Sequence, residues 1–194
     1  MTRATYEPSR DTPLKRGLVH LYTGHGKGKT SAAVGAIVRA VGRGLRCALI
    51  QFLKPPNSSG EHLALRRLSP PVLIRCFGLS PAPDGGRRWL RPKRPPPEAF
   101  SLAADALAAL RECATSGCFD LVVGDELLDA AAFGLLAARE LIAVVETKAP
   151  HTELILTGRR APRGLTRVAD LVTNMRKVKH PYDAGARARE GIEF

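Results

Sequence analysis

Residues 24–31 read Gly-His-Gly-Lys-Gly-Lys-Thr-Ser, and residues 125–126 are an acidic pair, Asp125 and Glu126. Gly24, Gly26 and Gly28 admit backbone conformations that a Cβ forbids, so successive N–H groups can turn toward one point. Lys29 sets an ammonium beside those amides, and Thr30 offers a hydroxyl. This residue set cradles a polyphosphate and presents an oxygen to Mg²⁺ or Mn²⁺. The usual spacing, G-x-x-x-x-G-K-[ST], puts Thr23 where the first glycine stands, and the additional glycines and Lys27 compensate. The nucleotide-binding candidates are therefore Gly24, His25, Gly26, Lys27, Gly28, Lys29, Thr30 and Ser31, with Lys29 the catalytic candidate. His25 either touches phosphate or only occupies a turn.

A loop of this kind works with an acidic residue at the end of a neighbouring strand, which holds the metal or its water shell. Asp-Leu-Val-Val-Gly-Asp-Glu, residues 120–126, supplies Asp125 and Glu126, and with Thr30 these are the metal candidates. Acids at a strand end also commonly cap the helix that follows; the glycine-rich loop is what gives this pair a metal to hold. Arg159 and Arg160 follow an apolar run ending in Thr-Gly, where the ligand-facing loops of open sheets lie. Arg159 is the further phosphate candidate, against the alternative of an exposed arginine. No Ser-His-Asp or Cys-His arrangement is visible, and His20, His25, His62, His151 and His180 lack metal-ligand spacing. The residues thus favour positioning and charge neutralisation over general-base chemistry.

These groups need elements to aim them. Short apolar runs at 18–23, 47–52, 72–77, 120–125, 153–158 and 170–175 read as strands buried on both faces, because they are continuously apolar rather than alternating. Ala- and Leu-rich segments at 29–41, 61–68, 98–117 and 134–148 predict helices, the last stopping before Pro150. The expected fold is an α/β protein with an open, mostly parallel twisted sheet and helices on both faces, of the P-loop NTPase, RecA-like kind. Residues 17–194 form one such domain, and the polar leader 1–16 reads as a flexible arm.

Thirty Lys and Arg against 18 Asp and Glu give a formal charge of +12, which favours anionic partners or else reflects a basic proteome with arginine serving solubility. The four cysteines form no CxxC pair, so neither a metal site nor a disulfide framework is expected. No apolar run is long enough to span a bilayer, and no signal-peptide core is visible, which predicts a soluble, cytoplasmic protein without a membrane partner. Residues 80–97 break the α/β rhythm with six prolines and a knot formed by Arg87, Arg88, Arg91, Lys93 and Arg94. That composition predicts an irregular loop. Trp89, the single tryptophan, lies inside it, either stacking on a flat ligand or pinning the loop to the core.

Several stretches together resemble the ATP:corrinoid adenosyltransferases of the cob(I)alamin type: TGHGKGKTSAA, RAVGRGLRCALIQFLK followed by Gly60-Glu61, FDLVVGDEL, ILTGRRAP and the tail VKHPYDAGARAREGIEF. The resemblance covers nearly all of 17–194 apart from 80–97, and the tail and the Q-F-x-K run are its most specific parts. It implies transfer of the 5′-deoxyadenosyl group of ATP to the cobalt of a reduced corrinoid, with release of triphosphate, in adenosylcobalamin synthesis or salvage. It further implies Mg²⁺ or Mn²⁺, a homodimer, a flavoprotein reductant, and a loop that holds triphosphate in the sense opposite to that of hydrolases. The threonine at position 23 belongs to the family pattern. Carried over, Gly24 to Thr30 are the ATP loop, Thr30 and Glu126 contact the metal, and Asp125 acts behind them or through water.

The chain departs from the family in three places. FGLSPAPDGGRRWLRPKRPPP stands where a G-x-G-F-T-W motif bears on the corrinoid, which leaves Trp89 as the corrinoid-binding candidate. The segment LDAAAF after Glu126 is smaller and less polar than usual, and Gly124 replaces a bulkier strand residue. Two other readings compete: a RecA-like P-loop ATPase acting with nucleic acid, and a small nucleotide kinase with Asp125 or Glu126 as base. Nucleic acid is disfavoured because base-stacking aromatics are not interleaved with the basic residues.

Overall fold

The computed structural model describes residues 14–56, 59–80 and 94–193. All six expected strands form: β1 (Val19–Thr23), β2 (Cys47–Phe52), β3 (Leu73–Phe77), β4 (Leu121–Asp125), β5 (Glu153–Thr157) and β6 (Leu171–Asn174). They make one parallel sheet in the order β3-β2-β4-β5-β1-β6. The chain enters it at Gly17, whose N–H donates to the Pro150 carbonyl (2.8 Å).

Helices cover both faces, which explains the apolar runs. Along β2, Ala48, Ile50 and Phe52 turn to one face while Cys47 and Leu49 turn to the other; along β5, Leu154 and Leu156 oppose Ile155. The first face is covered by α3 (Pro97–Thr115), α4 (Leu127–Ala132), α5 (Ala138–Thr147) and α6 (Arg163–Val168). The second is covered by α1 (Lys29–Val41), with α2 (Gly60–Leu65) contributing Leu65. The α1 stripe is Ala33, Ile37 and Val41, a four-residue repeat that keeps one helix side on the sheet.

Two helical expectations need correction. The helix predicted over 134–148 is the second of two elements and shorter than expected: α4, which was not expected, lies before it and closes where Gly134 takes a left-handed conformation (φ 76°). The second begins only at Ala138, where the Glu140 carboxylate accepts the Ala137 N–H (2.7 Å). The helix α6, after Pro162, was not expected at all.

The topology also corrects the expected neighbourhood of the two motifs. β1, which feeds the glycine-rich loop, is not hydrogen-bonded to β4, which carries the acids; β5 runs between them. The parallel direction nonetheless brings Thr23, Phe52, Asp125, Thr157 and Asn174 to one edge of the sheet, the side on which ligands of open α/β sheets bind.

Candidate functional site

At the end of β1 the chain turns through Gly24 to Gly28 into α1. Gly28 precedes the helix with φ 115°, a conformation open to glycine and strained for other residues. Gly26 is needed for a different reason: a Cβ there would lie 2.7 Å from the Met175 carbonyl oxygen, which accepts the Gly26 N–H. The Lys29 ammonium folds back into the loop and donates to the carbonyls of Gly24 (2.7 Å) and Gly26 (2.6 Å). Burial lowers its pKa, with the Asp129 carboxylate opposing that shift. A cation held among backbone groups at a helix N-terminus is ready to face a polyphosphate.

Asp125 is the centre of the acidic side, fully buried and fully engaged. Its Oδ1 accepts the hydroxyls of Thr30 (2.9 Å) and Thr157 (2.6 Å), and its Oδ2 accepts Lys54 Nζ (2.9 Å) and Gln51 Nε2 (3.1 Å). Burial alone would raise this carboxyl; the charge of Lys54 and the hydrogen bonds from Thr157, Lys54 and Thr30 outweigh it and hold it below the usual carboxylate range. The same balance holds Lys54 above its ordinary value: burial lowers it, and Asp125, Glu126 and Glu61 more than reverse that.

Glu126 differs from its neighbour. It sits at φ 61°, a left-handed conformation rare for a residue with a side chain, and its N–H is fixed by Thr157 Oγ1 (2.9 Å). Its side chain is 32% exposed, so it can still reach a ligand. Burial, with the nearby Asp125 and Asp129 carboxylates, pushes it up to about 7 against the opposing charge of Lys54. A second left-handed residue, Leu53 (φ 59°), turns the chain after β2 so that Lys54 comes over the acids. Gly78 makes room for that turn, since a Cβ there would meet the Lys54 backbone at 2.3 Å.

Asp129, from α4, accepts the Arg159 N–H (3.1 Å) and flanks a cleft of about 270 Å³ lined by His25, Ala132, Phe133, Arg159 and Arg160. The small residues of 127–133 thus form a wall of the site while keeping one acid in it. Gly124 is equally accounted for: Leu110 and Leu156 fill the space above it, at 3.1 and 3.0 Å from where a Cβ would sit.

The residues singled out from sequence fall into three groups. The loop glycines, Lys29, Thr30, Asp125 and Glu126 share one site, with His25 and Arg159 on its rim. Lys27 is turned to the C-terminal segment, where its Nζ meets Glu193 Oε1 (2.9 Å) and the Ile192 carbonyl (3.2 Å), and Ser31 is exposed on the first turn of α1. Trp89 and most of the basic knot lie outside the described residues. Sequence reading gave no role to Gln51, Lys54, Glu61, Thr157 or Asp129. Their signal was available in part, since Gln51, Lys54 and Thr157 stand at the ligand-side ends of β2 and β5.

The donors suit a hard cation: a carboxylate at Glu126 and a hydroxyl at Thr30, with phosphate oxygens to complete the set, is the way Mg²⁺ is held beside a nucleotide. Among the described residues no group of three or more His, Cys, Asp or Glu side chains is placed to hold a metal by itself.

A parallel sheet with a glycine-rich phosphate loop after β1 and acids after a non-adjacent strand defines a P-loop nucleotide-binding protein. The comparisons with known proteins agree and go further. A sequence profile of the family described as ATP:corrinoid adenosyltransferase BtuR/CobO/CobP matches residues 15–194, and the chain belongs to that family. It is 34% identical over 180 residues to a corrinoid adenosyltransferase of Pseudomonas aeruginosa, covering 93% of this chain and 85% of the relative. It is 32% identical over 186 residues to the corrinoid adenosyltransferase CobA of Salmonella typhimurium, covering 93% and 87%. It is thus an enzyme of ATP-dependent corrinoid adenosylation.

Proposed function

We propose that the protein transfers the 5′-deoxyadenosyl group of ATP to the cobalt of a reduced corrinoid and releases triphosphate in one piece. The cobalt's electron pair attacks C5′, the C5′–O5′ bond breaks, and triphosphate leaves with the bonding electrons, so cobalt is formally oxidised by two electrons. The nucleophile arrives already activated, and the protein's task is to align C5′ with cobalt and to stabilise the leaving group. Gly24 to Thr30 bind ATP, with Lys29 as the cation on the triphosphate and Arg159 a further contact. Thr30 and Glu126, with Asp125 behind them, would hold Mg²⁺ or Mn²⁺, which would supply charge neutralisation of the triphosphate.

The observation that carries this reading is the state of Asp125. Its oxygens accept four protein hydrogen bonds and it is held ionised and buried, so it organises Thr30 and Lys54 and does not take a proton from a nucleophile. Product analysis tests the reading. With ATP, Mg²⁺ and chemically reduced cobalamin or cobinamide, triphosphate and a light-sensitive alkyl-cobalt product are expected in equal amounts. Corrinoid-independent ADP would overturn it and make Glu126, with its raised carboxyl, the base of a kinase or hydrolase.

We further propose a cytoplasmic homodimer served by a flavoprotein reductant. No helix among the described residues is long and apolar enough to cross a membrane. The edge strand β6 leaves Leu171 and Val172 exposed beside Val168, an apolar border that a second copy would cover. Light scattering on the purified chain checks the dimer.

A further inference from the structure

Behind the acids lies a buried polar group that the reaction as described does not use. Gln51, His62 and Asp125 are each 0% exposed, and Cys76 of β3 reaches the same point. The Gln51 amide nitrogen faces two carboxylates, Asp125 Oδ2 (3.1 Å) and Glu61 Oε1 (3.2 Å), and donates to both. Its carbonyl oxygen therefore faces the other way, where His62 Nε2 and Cys76 Sγ (3.6 Å) meet it.

A glutamine amide has nearly the same shape after a half turn, so packing alone does not choose which end faces the acids. The choice is made by what stands on the far side. With a proton on Nε2, His62 can only donate to Gln51, which holds the amide oxygen toward the histidine and the NH₂ toward Asp125 and Glu61. With the proton on Nδ1 instead, Nε2 becomes an acceptor and favours the flipped amide, and the carbonyl oxygen would then press against two carboxylates. The surroundings agree with the first arrangement. His62 Nδ1 is buried without a hydrogen-bond partner, so a proton there would be an orphaned donor. Burial also lowers the pKa of this imidazole, which favours a single proton on the ring.

We infer that His62 is a positioning residue of the nucleotide-metal site, its Nε2–H fixing Gln51 so that Gln51 orients Asp125 and, through it, the Thr30 hydroxyl. The chain of contacts runs from α2 through β2 and β4 to the first turn of α1. Cys76 supports the same oxygen as a weak second donor. His62 and Gln51 are fully buried behind Asp125, so their effect reaches the site through the geometry that Asp125 imposes. The inference rests on the reading of Thr30, Asp125 and Glu126 as the metal end of the ATP site.

The test compares His62→Leu, which fills the space without a donor, with His62→Gln, which restores an N–H at similar reach. ATP binding is measured by calorimetry on the full chain, once with Mg²⁺ and once with EDTA. His62→Leu should weaken ATP binding with Mg²⁺ by at least about fivefold, as loss of one ordered hydrogen bond does. Without metal its affinity should stay within about twofold of wild type, the scatter of non-interacting changes. His62→Gln should recover the Mg²⁺-dependent affinity. Equal losses with and without Mg²⁺, or no rescue by glutamine, would reduce His62 to a packing residue and overturn the inference. Should His62→Leu not fold, long-range ¹H–¹⁵N spectra of wild-type protein decide: a proton on Nε2 is expected, and one on Nδ1 overturns the inference. None of these readouts needs turnover, so failure of the product assay leaves them interpretable.

Discussion

Thr30 Oγ1 donates to Asp125 Oδ1 across 2.9 Å, joining the first turn of α1 to the end of β4 over the intervening β5. The strand in between takes part, because Thr157 at its end donates to the same oxygen (2.6 Å) while accepting the Glu126 N–H (2.9 Å). Two motifs far apart in the chain are thereby held at one spacing by a single buried carboxylate.

That carboxylate balances a buried cation, which sets the outcome of neutralising it. Asp125→Asn keeps the shape but leaves Lys54, 19% exposed, with weaker compensation from Glu61 (3.5 Å) and Glu126 (4.0 Å). Breaking one side of a buried ion pair costs about 3 kcal/mol or more, so urea unfolding should show a loss of that size. In a chain of this length that corresponds to a fall in melting temperature of about 6–12 °C. A variant as stable as wild type would mean that Asp125 is not ionised in the folded state.

Thr157→Val removes one hydroxyl and two hydrogen bonds at nearly constant volume. The residue is 1% exposed, so the Glu126 N–H loses its acceptor in a place poor in water. A loss of about 1–3 kcal/mol is expected by chemical denaturation. Thr157→Ser should recover most of it, because the hydroxyl rather than the methyl makes both bonds. Equal destabilisation by valine and serine would show that the methyl group contributes as much as the hydroxyl.

Thiol chemistry offers an independent check on the core. Burial pushes Cys47 up to about 12 and Cys113 up to about 11, from an ordinary value of 9.0. A raised pKa means less thiolate at any pH below it, and the thiolate is the reactive form. At pH 8 both should resist a thiol reagent until the chain unfolds, whereas Cys118, half-buried in the connection between α3 and β4, should react first. Mass mapping of the modified peptides reads the order, and early labelling of Cys47 would contradict the packing of β2 against α1.

The middle of the sheet was legible because β2, β4 and most of β5 are buried on both faces, which writes each as an uninterrupted apolar run, whereas the edge strands β3 and β6 are apolar but less covered. The loop and the acids were legible because glycine, lysine and carboxylate chemistry has few other uses at strand ends. The partnership with Asp125 was not: the Q-F-x-K run marks Gln51 and Lys54, but that they and Thr157 converge on Asp125 depends on the strand order, and no local pattern in the sequence gives that order. The helix α4 was missed and the start of α5 was placed four residues early because alanine and leucine favour helix on both sides of Gly134, whose left-handed turn closes α4 through local bonds to Ala130 and Ala131. Asp129 went unrecognised for a related reason, since its partner, the Arg159 N–H, comes from the turn after β5.

Lys29 carries the sharpest prediction for activity. Its ammonium is held inside the loop by the Gly24 and Gly26 carbonyls, so on the proposed reading it would face the leaving triphosphate from a preset position, where a single electrostatic contact contributes most. Lys29→Ala should lower triphosphate release by at least about a hundredfold, or about 2.7 kcal/mol of barrier. The comparison with Lys29→Arg is informative, because arginine keeps the charge while its planar fork cannot enter the two-carbonyl seat in the same way. A partial loss is expected for arginine, lying between wild type and alanine. Turnover by Lys29→Ala within about tenfold of wild type, a change of only about 1.4 kcal/mol, would remove Lys29 from the catalytic role and shift the burden of charge neutralisation to the metal and the loop amides.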